Sequence, residues 1–146
     1  MAYTIVVGFD GSEHSRKALE AAIEWARVVP EGEIVVACSQ ERHGPGVGFR
    51  GPEIGVEEYW DELEKKVAAD LEAAAGMVAE AGVKVATACT PDRPDVTIVN
   101  TARDTGASLI VVGTKGSGYR EGQKTVLGST TTKVLHEAGG IPVLVV

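Results

Sequence analysis

Runs of β-branched residues separated by helix-length amphipathic stretches constrain this chain more than any other feature. The runs are Thr4 to Val7, Glu33 to Ala37, Val83 to Thr87, Ser108 to Val112 and Ile141 to Val146. All but the third hold consecutive Val, Ile or Leu in place of alternation, the pattern of strands buried on both faces of a parallel sheet. Between them lie helical patterns. From Ser15 to Val28 the residues Ala18, Leu19, Ala22, Ile23 and Ala26 fall on one face. From Glu57 to Ala81 a stripe runs through Leu63, Val67, Leu71, Ala74 and Val78, with Gly82 placed to end the helix. Val96, Val99 and Ala102 face one way between Pro94 and Thr105, where Pro94 suits a first helical position and Gly106 follows the end. A shorter helix from Ser129 to Ala138 carries Val134 and Leu135 and stops at Gly139-Gly140. The order β-α-β-α-β-α-β-α-β predicts a Rossmann-like α/β fold: an open parallel five-stranded sheet with helices on both faces. No internal repeat or second domain is visible, so residues 1–146 are expected to form one domain.

Composition narrows the function classes. With 44% hydrophobic and 24% charged residues over 146 positions, the chain can bury a core without staples. Its net charge of −7 disfavours an extended phosphate-backbone surface, so nucleic acid is not the expected partner. A small anion needs only a local positive site. The apolar runs are far shorter than a membrane span, and Met1-Ala2-Tyr3-Thr4 enters the first of them without a basic leader, so a soluble cytoplasmic protein is expected. Cys38 and Cys89 make no disulfide framework and read as reduced, small, buried residues at strand ends.

In open parallel sheets, ligands sit beyond the carboxyl ends of strands, where the strand order reverses. Two loops leave such ends. The first strand runs into Gly8-Phe9-Asp10-Gly11-Ser12, and the fourth into Gly113-Thr114-Lys115-Gly116-Ser117-Gly118, with a helix resuming only after Gly128-Ser129. Glycines let backbone N–H groups approach an anion unobstructed. A helix opening at Gly128-Ser129 adds free N–H groups and a positive dipole end, and the Ser129 hydroxyl can cap the helix or donate to a phosphate. Lys115, Arg120 and Lys124 stand against Glu121 alone in this segment, a local cationic excess on an acidic chain. A solvated loop explains the same residues, and neither a Walker P-loop nor a complete GxGxxG occurs.

Other chemistry finds little support. His14, His43 and His136 with the two cysteines match no metal-ligand spacing, and no G-x-S-x-G elbow is present. His136 suits a surface position near the last helix's C-terminus. Tyr59 and Trp60 read as core or dimer packing, with base stacking the alternative. The acidic residues from Glu57 to Glu64 form a solvated helix face favoured by the dipole. Gln40 to Gly55, sixteen residues rich in Gly and Pro, is either a functional loop, such as a lid over a base, or disordered.

Taken together, Ile5-Val6-Val7-Gly8-Phe9-Asp10-Gly11-Ser12, Ile110-Val111-Val112-Gly113-Thr114-Lys115-Gly116, Leu127-Gly128-Ser129-Thr130 and the closing Ile141-Pro142-Val143-Leu144-Val145-Val146 resemble the universal stress protein family across essentially the whole chain. The resemblance implies strand order 3-2-1-4-5, which brings Asp10 and Gly113 together at the switch point. ATP-binding members carry G-x2-G-x9-G-[ST] after the fourth strand, and Gly113, Gly116, Gly128 and Ser129 supply its fixed positions. Eleven residues separate Gly116 from Gly128 in place of nine, a two-residue lengthening. The resemblance further implies that Phe9, Asp10 and the backbone near Cys38 face base and ribose, and that Gly113 lies against the ribose. Lys115, Gly116, Gly128, Ser129 and Thr130 would surround the phosphates of ATP, with or without Mg2+. A local reading of Asp10 as a turn or capping residue is compatible with ligand contact. The expected function is a nucleotide-binding stress-response regulator that dimerises through its last strand. A slow ATPase and a nucleotide-free interaction protein are the alternatives. No residue is evident that would position an attacking water, so an enzyme is not expected.

Overall fold

The structure, a computed structural model, describes residues 2–41, 56–116, 122 and 126–146. Its elements are β1 (Tyr3–Gly8), α1 (Glu13–Val28), β2 (Gly32–Ser39), α2 (Val56–Glu80), β3 (Lys84–Thr90), α3 (Pro94–Thr105), β4 (Leu109–Val112), α4 (Ser129–Glu137) and β5 (Val143–Val145). The strands form one sheet in the order β3-β2-β1-β4-β5, and every neighbouring pair is parallel.

Continuous apolar runs are explained by two cores, one on each face of the sheet. Along β1, Ile5 and Val7 pack with Leu19, Ile34 and Val78 beneath α1 and α2. The intervening Val6 points the other way, onto Ile98, Ile110 and Val134 beneath α3 and α4. Each of these side chains contributes roughly 1.5–3 kcal/mol by leaving water. Val6 lies opposite Val35 on one side and Ile110 on the other, so the centre of the sheet is apolar in every direction.

The edges differ. β3 is largely exposed, and its less continuous apolar pattern reflects that. The last run was expected to be a strand from Ile141 to Val146, yet only Val143–Val145 has strand form and Leu144 is 38% exposed. With a partner on one side only, β5 has no second neighbour to cover it. Its continuation is nevertheless held: the Val146 N–H donates to the Val112 carbonyl, and the Thr114 N–H donates to the Val146 carbonyl, both at 2.9 Å. The end of the chain thereby anchors the loop after β4.

Candidate functional site

β1 and β4 are neighbours, but β1 leads to α1 on one face while β4 leads to α4 on the other. The two connections therefore part, and a crevice opens between them.

The loop after β1 is shaped by short polar contacts. The Phe9 N–H donates to the Ala37 carbonyl at 2.9 Å, tying it to β2. Asp10 Oδ1 accepts the Ser12 N–H at 2.9 Å, an Asx turn, and Ser12 Oγ accepts the Ser15 N–H at 3.2 Å as the N-cap of α1. Asp10 is thus the turn residue and Ser12 the cap. Gly11 takes φ 82°, a conformation that favours glycine, and a methyl group there would displace the Asp70 carboxylate of α2, whose Oδ2 lies 2.8 Å from that position.

The loop after β4 is built from backbone. A methyl group at Gly113 would lie 2.8 Å from the His14 carbonyl oxygen, and one at Gly116 would lie 3.1 Å from Asp10 Oδ2. At Gly128 it would meet Lys115 Cα at 3.1 Å and the Gly116 nitrogen at 3.4 Å. The three glycines are therefore the points where this loop touches α1, the Asp10 loop and itself. Two hydrogen bonds fix the fold-back: the Gly128 N–H to the Thr114 carbonyl at 2.7 Å, and Thr131 Oγ1 to the Gly113 carbonyl at 2.6 Å. Gly128 is the N-cap of α4 and no side-chain oxygen caps it; Ser129, expected as a possible cap, is instead the first helical residue. The N–H groups of Ser129, Thr130 and Thr131 are those that a helix leaves without intrahelical acceptors.

These loops wall a cavity of about 530 Å3, within the range of small-molecule sites. Phe9, Asp10 and Cys38 line it from the β1 and β2 ends. Gly113, Lys115, Gly116, Gly128, Ser129 and Thr130 line it from the β4 and α4 side. The structure thus brings together all the residues singled out in the sequence, while Arg120, Lys124 and most of the lengthened segment, like residues 42–55 of the expected lid, lie outside the described residues. Asp10, Glu41, Glu64 and Lys115 are the charged residues among the described residues that line the cavity. Among the described residues, no group of three or more His, Cys, Asp or Glu side chains could hold a metal ion.

The sequence left base stacking by Tyr59 and Trp60 as an alternative and read Leu63 and Val67 as core; the structure shows that α2 supplies a wall of the cavity. Trp60, Leu63, Glu64 and Val67 line the cavity, and Trp60 is only 7% exposed, packed edge-on to Tyr59 at 5.0 Å between ring centroids. A signal was present: residues 60, 63 and 67 extend the core stripe of 71, 74 and 78 by two turns beyond what the sheet needs to cover. Of the two cysteines, expected to be buried, Cys38 is as expected and Cys89 is not. Cys38 is buried, its thiol pushed up to about 12 by that burial and then by Cys89, whereas Cys89 is exposed because β3 is an edge.

A family model described as the universal stress protein family matches residues 1–146. Universal stress protein YxiE of Bacillus subtilis (strain 168) is 34% identical over 147 aligned residues, covering 97% of each chain. Among solved structures, hypothetical protein MJ0577 superposes with a TM-score of 0.76 at 25% identity, over 100% of this chain and 96% of that one. A universal stress protein from Archaeoglobus fulgidus in complex with dAMP superposes with a TM-score of 0.65 at 22% identity, over 99% and 97% of the two chains. The chain belongs to the universal stress protein family.

Proposed function

From that membership we propose that the cavity binds an adenine nucleotide, ATP in the first instance, and that the protein is a nucleotide-dependent regulator of the stress response. The carrying observation is the convergence of Gly113, Gly116 and Gly128 beside the opening turn of α4, Gly113 against backbone too close for a Cβ and the other two in tight contact. Such a cradle presents backbone N–H groups and the positive helix end to an anion. The relative crystallised with dAMP supports the same ligand class on the same fold.

The cavity is electrically lopsided, and this orients the ligand. Glu41 and Glu64, from the β2 and α2 side, disfavour phosphates there, while Lys115 and the opening turn of α4 attract them at the other end. Asp10 would accept a hydrogen bond from a ribose hydroxyl. The base would lie against Trp60, Leu63 and Val67 near Cys38. Lys115, with the N–H groups of Ser129 and Thr130, would hold the phosphates, with or without Mg2+.

The reading is binding in place of turnover, in a cytoplasmic homodimer paired through β5. The open β5 edge with its half-exposed Leu144 supports the pairing. Among the described residues no helix is long and apolar enough to cross a membrane. Denaturing the purified protein should release bound nucleotide, and saturating ATP with Mg2+ should raise the melting temperature by several degrees. Absence of both a released nucleotide and a thermal shift would refute the reading. ATP consumption at a steady rate that Asp10→Ala abolishes would replace it with an ATPase, and a concentration-independent monomer mass would remove the dimer.

A further inference from the structure

We propose that Cys38 and Cys89 form a reversible disulfide, making the β2–β3 seam beside the cavity a thiol–disulfide exchange site. The chain has two cysteines, 51 positions apart, and the parallel register sets them directly opposite each other on neighbouring strands. Residues so paired share a face of the sheet, and parallel neighbours stand about 4.8 Å apart, inside the roughly 4.4–6.8 Å window of Cα separations that a disulfide spans. Cys38 follows Ile34 and Val36, and Cys89 follows Val85, on the face that α2 covers. Both are free thiols, and they are within mutual hydrogen-bonding reach.

Their surroundings divide the labour. Cys89 is exposed, so an incoming low-molecular-weight disulfide reaches it first. Its ionised form is favoured by the hydrogen bond from Cys38, although burial raises its pKa overall. Cys38 is 6% exposed, and burial, Cys89, Asp10 and Asp70 all disfavour its thiolate. It stays protonated until an electrophilic sulfur is presented to it. In the first step the Cys89 thiolate attacks one sulfur of the small disulfide, forming a mixed disulfide and releasing one thiolate, which takes up a proton. In the second, Cys38 loses its proton and attacks the Cys89 sulfur, forming the Cys38–Cys89 bond. The second small thiolate leaves and is protonated. Two protein thiols are oxidised and one small disulfide is reduced to two thiols.

Cys38 belongs to the cavity wall and Cys89 does not, so the bond ties that wall to the exposed edge strand. Nucleotide affinity should then differ between the two redox states. This last step rests on the nucleotide reading; formation of the bond does not.

Oxidised glutathione is the probe, with non-reducing peptide mapping by mass spectrometry on the full chain. The expected product is a Cys38–Cys89 cross-linked peptide, two hydrogens lighter and reversed by dithiothreitol. Cys38→Ser should trap Cys89 as a stable glutathione adduct, and Cys89→Ser should remain unmodified. A wild-type protein that keeps the glutathione adduct, or that gives only Cys89–Cys89 dimers between chains, would overturn the site. Calorimetry with ATP on reduced and oxidised protein then reads the coupling, expected at roughly 5-fold or more. Equal affinities would overturn the coupling. A cross-link in a protein that binds nucleotide in neither state would retain the site and refute the nucleotide reading alone.

Discussion

The two ends of the cavity are built by opposite means. The α4 end is backbone, with Gly113, Gly116 and Gly128 in contact with main chain or the Asp10 carboxylate and Thr131 pinning the Gly113 carbonyl. The α2 end is side chain, with Trp60, Leu63 and Val67 closing over the tips of the strands. A backbone cradle leaves little room for an added atom, least at Gly113, but makes few demands on neighbouring side chains. A side-chain wall can be reshaped residue by residue without moving the chain. Within one site, the first end is suited to a ligand group that every nucleotide shares, and the second to the part that distinguishes them.

Gly113→Val should break the cradle most severely. Its side chain would meet the His14 carbonyl inside 3 Å, and backbone cannot rotate away as a side-chain tip can. We expect nucleotide affinity to fall on the order of 100-fold by calorimetry, with a stability loss of about 1–3 kcal/mol from overpacking. Undiminished affinity would show that the cradle does not hold the ligand. Trp60→Ala tests the other end. It should lower affinity about tenfold and, as a large buried side chain removed, stability by about 3–5 kcal/mol. Trp60→Phe separates the two effects, because it keeps much of the buried area. If affinity for ATP and for inorganic triphosphate fall equally in that variant, Trp60 is not a base contact.

This contrast also explains what the sequence made visible. The parallel sheet, its helices on both faces and the two loops were legible because they depend on local rules: continuous apolar runs, helical stripes, and glycines after strands. The strand order came only from the family resemblance. The spacing of Gly113, Gly116, Gly128 and Ser129 lies within one short segment, so one end of the site could be read directly. The α2 wall was not legible. Trp60 belongs to the same stripe as Leu71 and Val78, and only the length of β2 and β3 decides where that stripe stops covering core and starts covering cavity. Cys89 was misjudged for a related reason. Every side chain of the edge strand β3 is exposed or only half-buried, because the layer packed on the sheet covers its edge less completely than its centre.

Thr131→Val should have a smaller effect, since it leaves the glycines in place. It deprives the Gly113 carbonyl of a buried donor at nearly constant volume, at a stability loss of about 1–3 kcal/mol. Affinity should fall only severalfold, and Thr131→Ser should restore most of it. A Ser variant as weak as Val would show that the methyl group, and not the hydroxyl, is what the loop requires.

The smallest effect concerns the base end and emerges only in alkali. Burial, then Cys89, raise the Cys38 thiol from 9.0 to about 12, and Cys89 is raised in the same direction. Between those pH values the unfolded chain has lost the Cys38 proton while the folded chain keeps it. Stability contributed by the protonated thiol is therefore complete below pH 9 and declines as pH rises toward 12. At pH 10 the loss from Cys38 is expected to be on the order of 1 kcal/mol. Lysines and tyrosines titrate in the same range, so the informative quantity is the difference between wild type and Cys38→Ala. Urea melts at pH 7 and pH 10 should show the variant losing less stability than wild type, by about that amount. Equal losses would mean that water reaches Cys38, and the side-chain wall would then be more open than the backbone cradle opposite it.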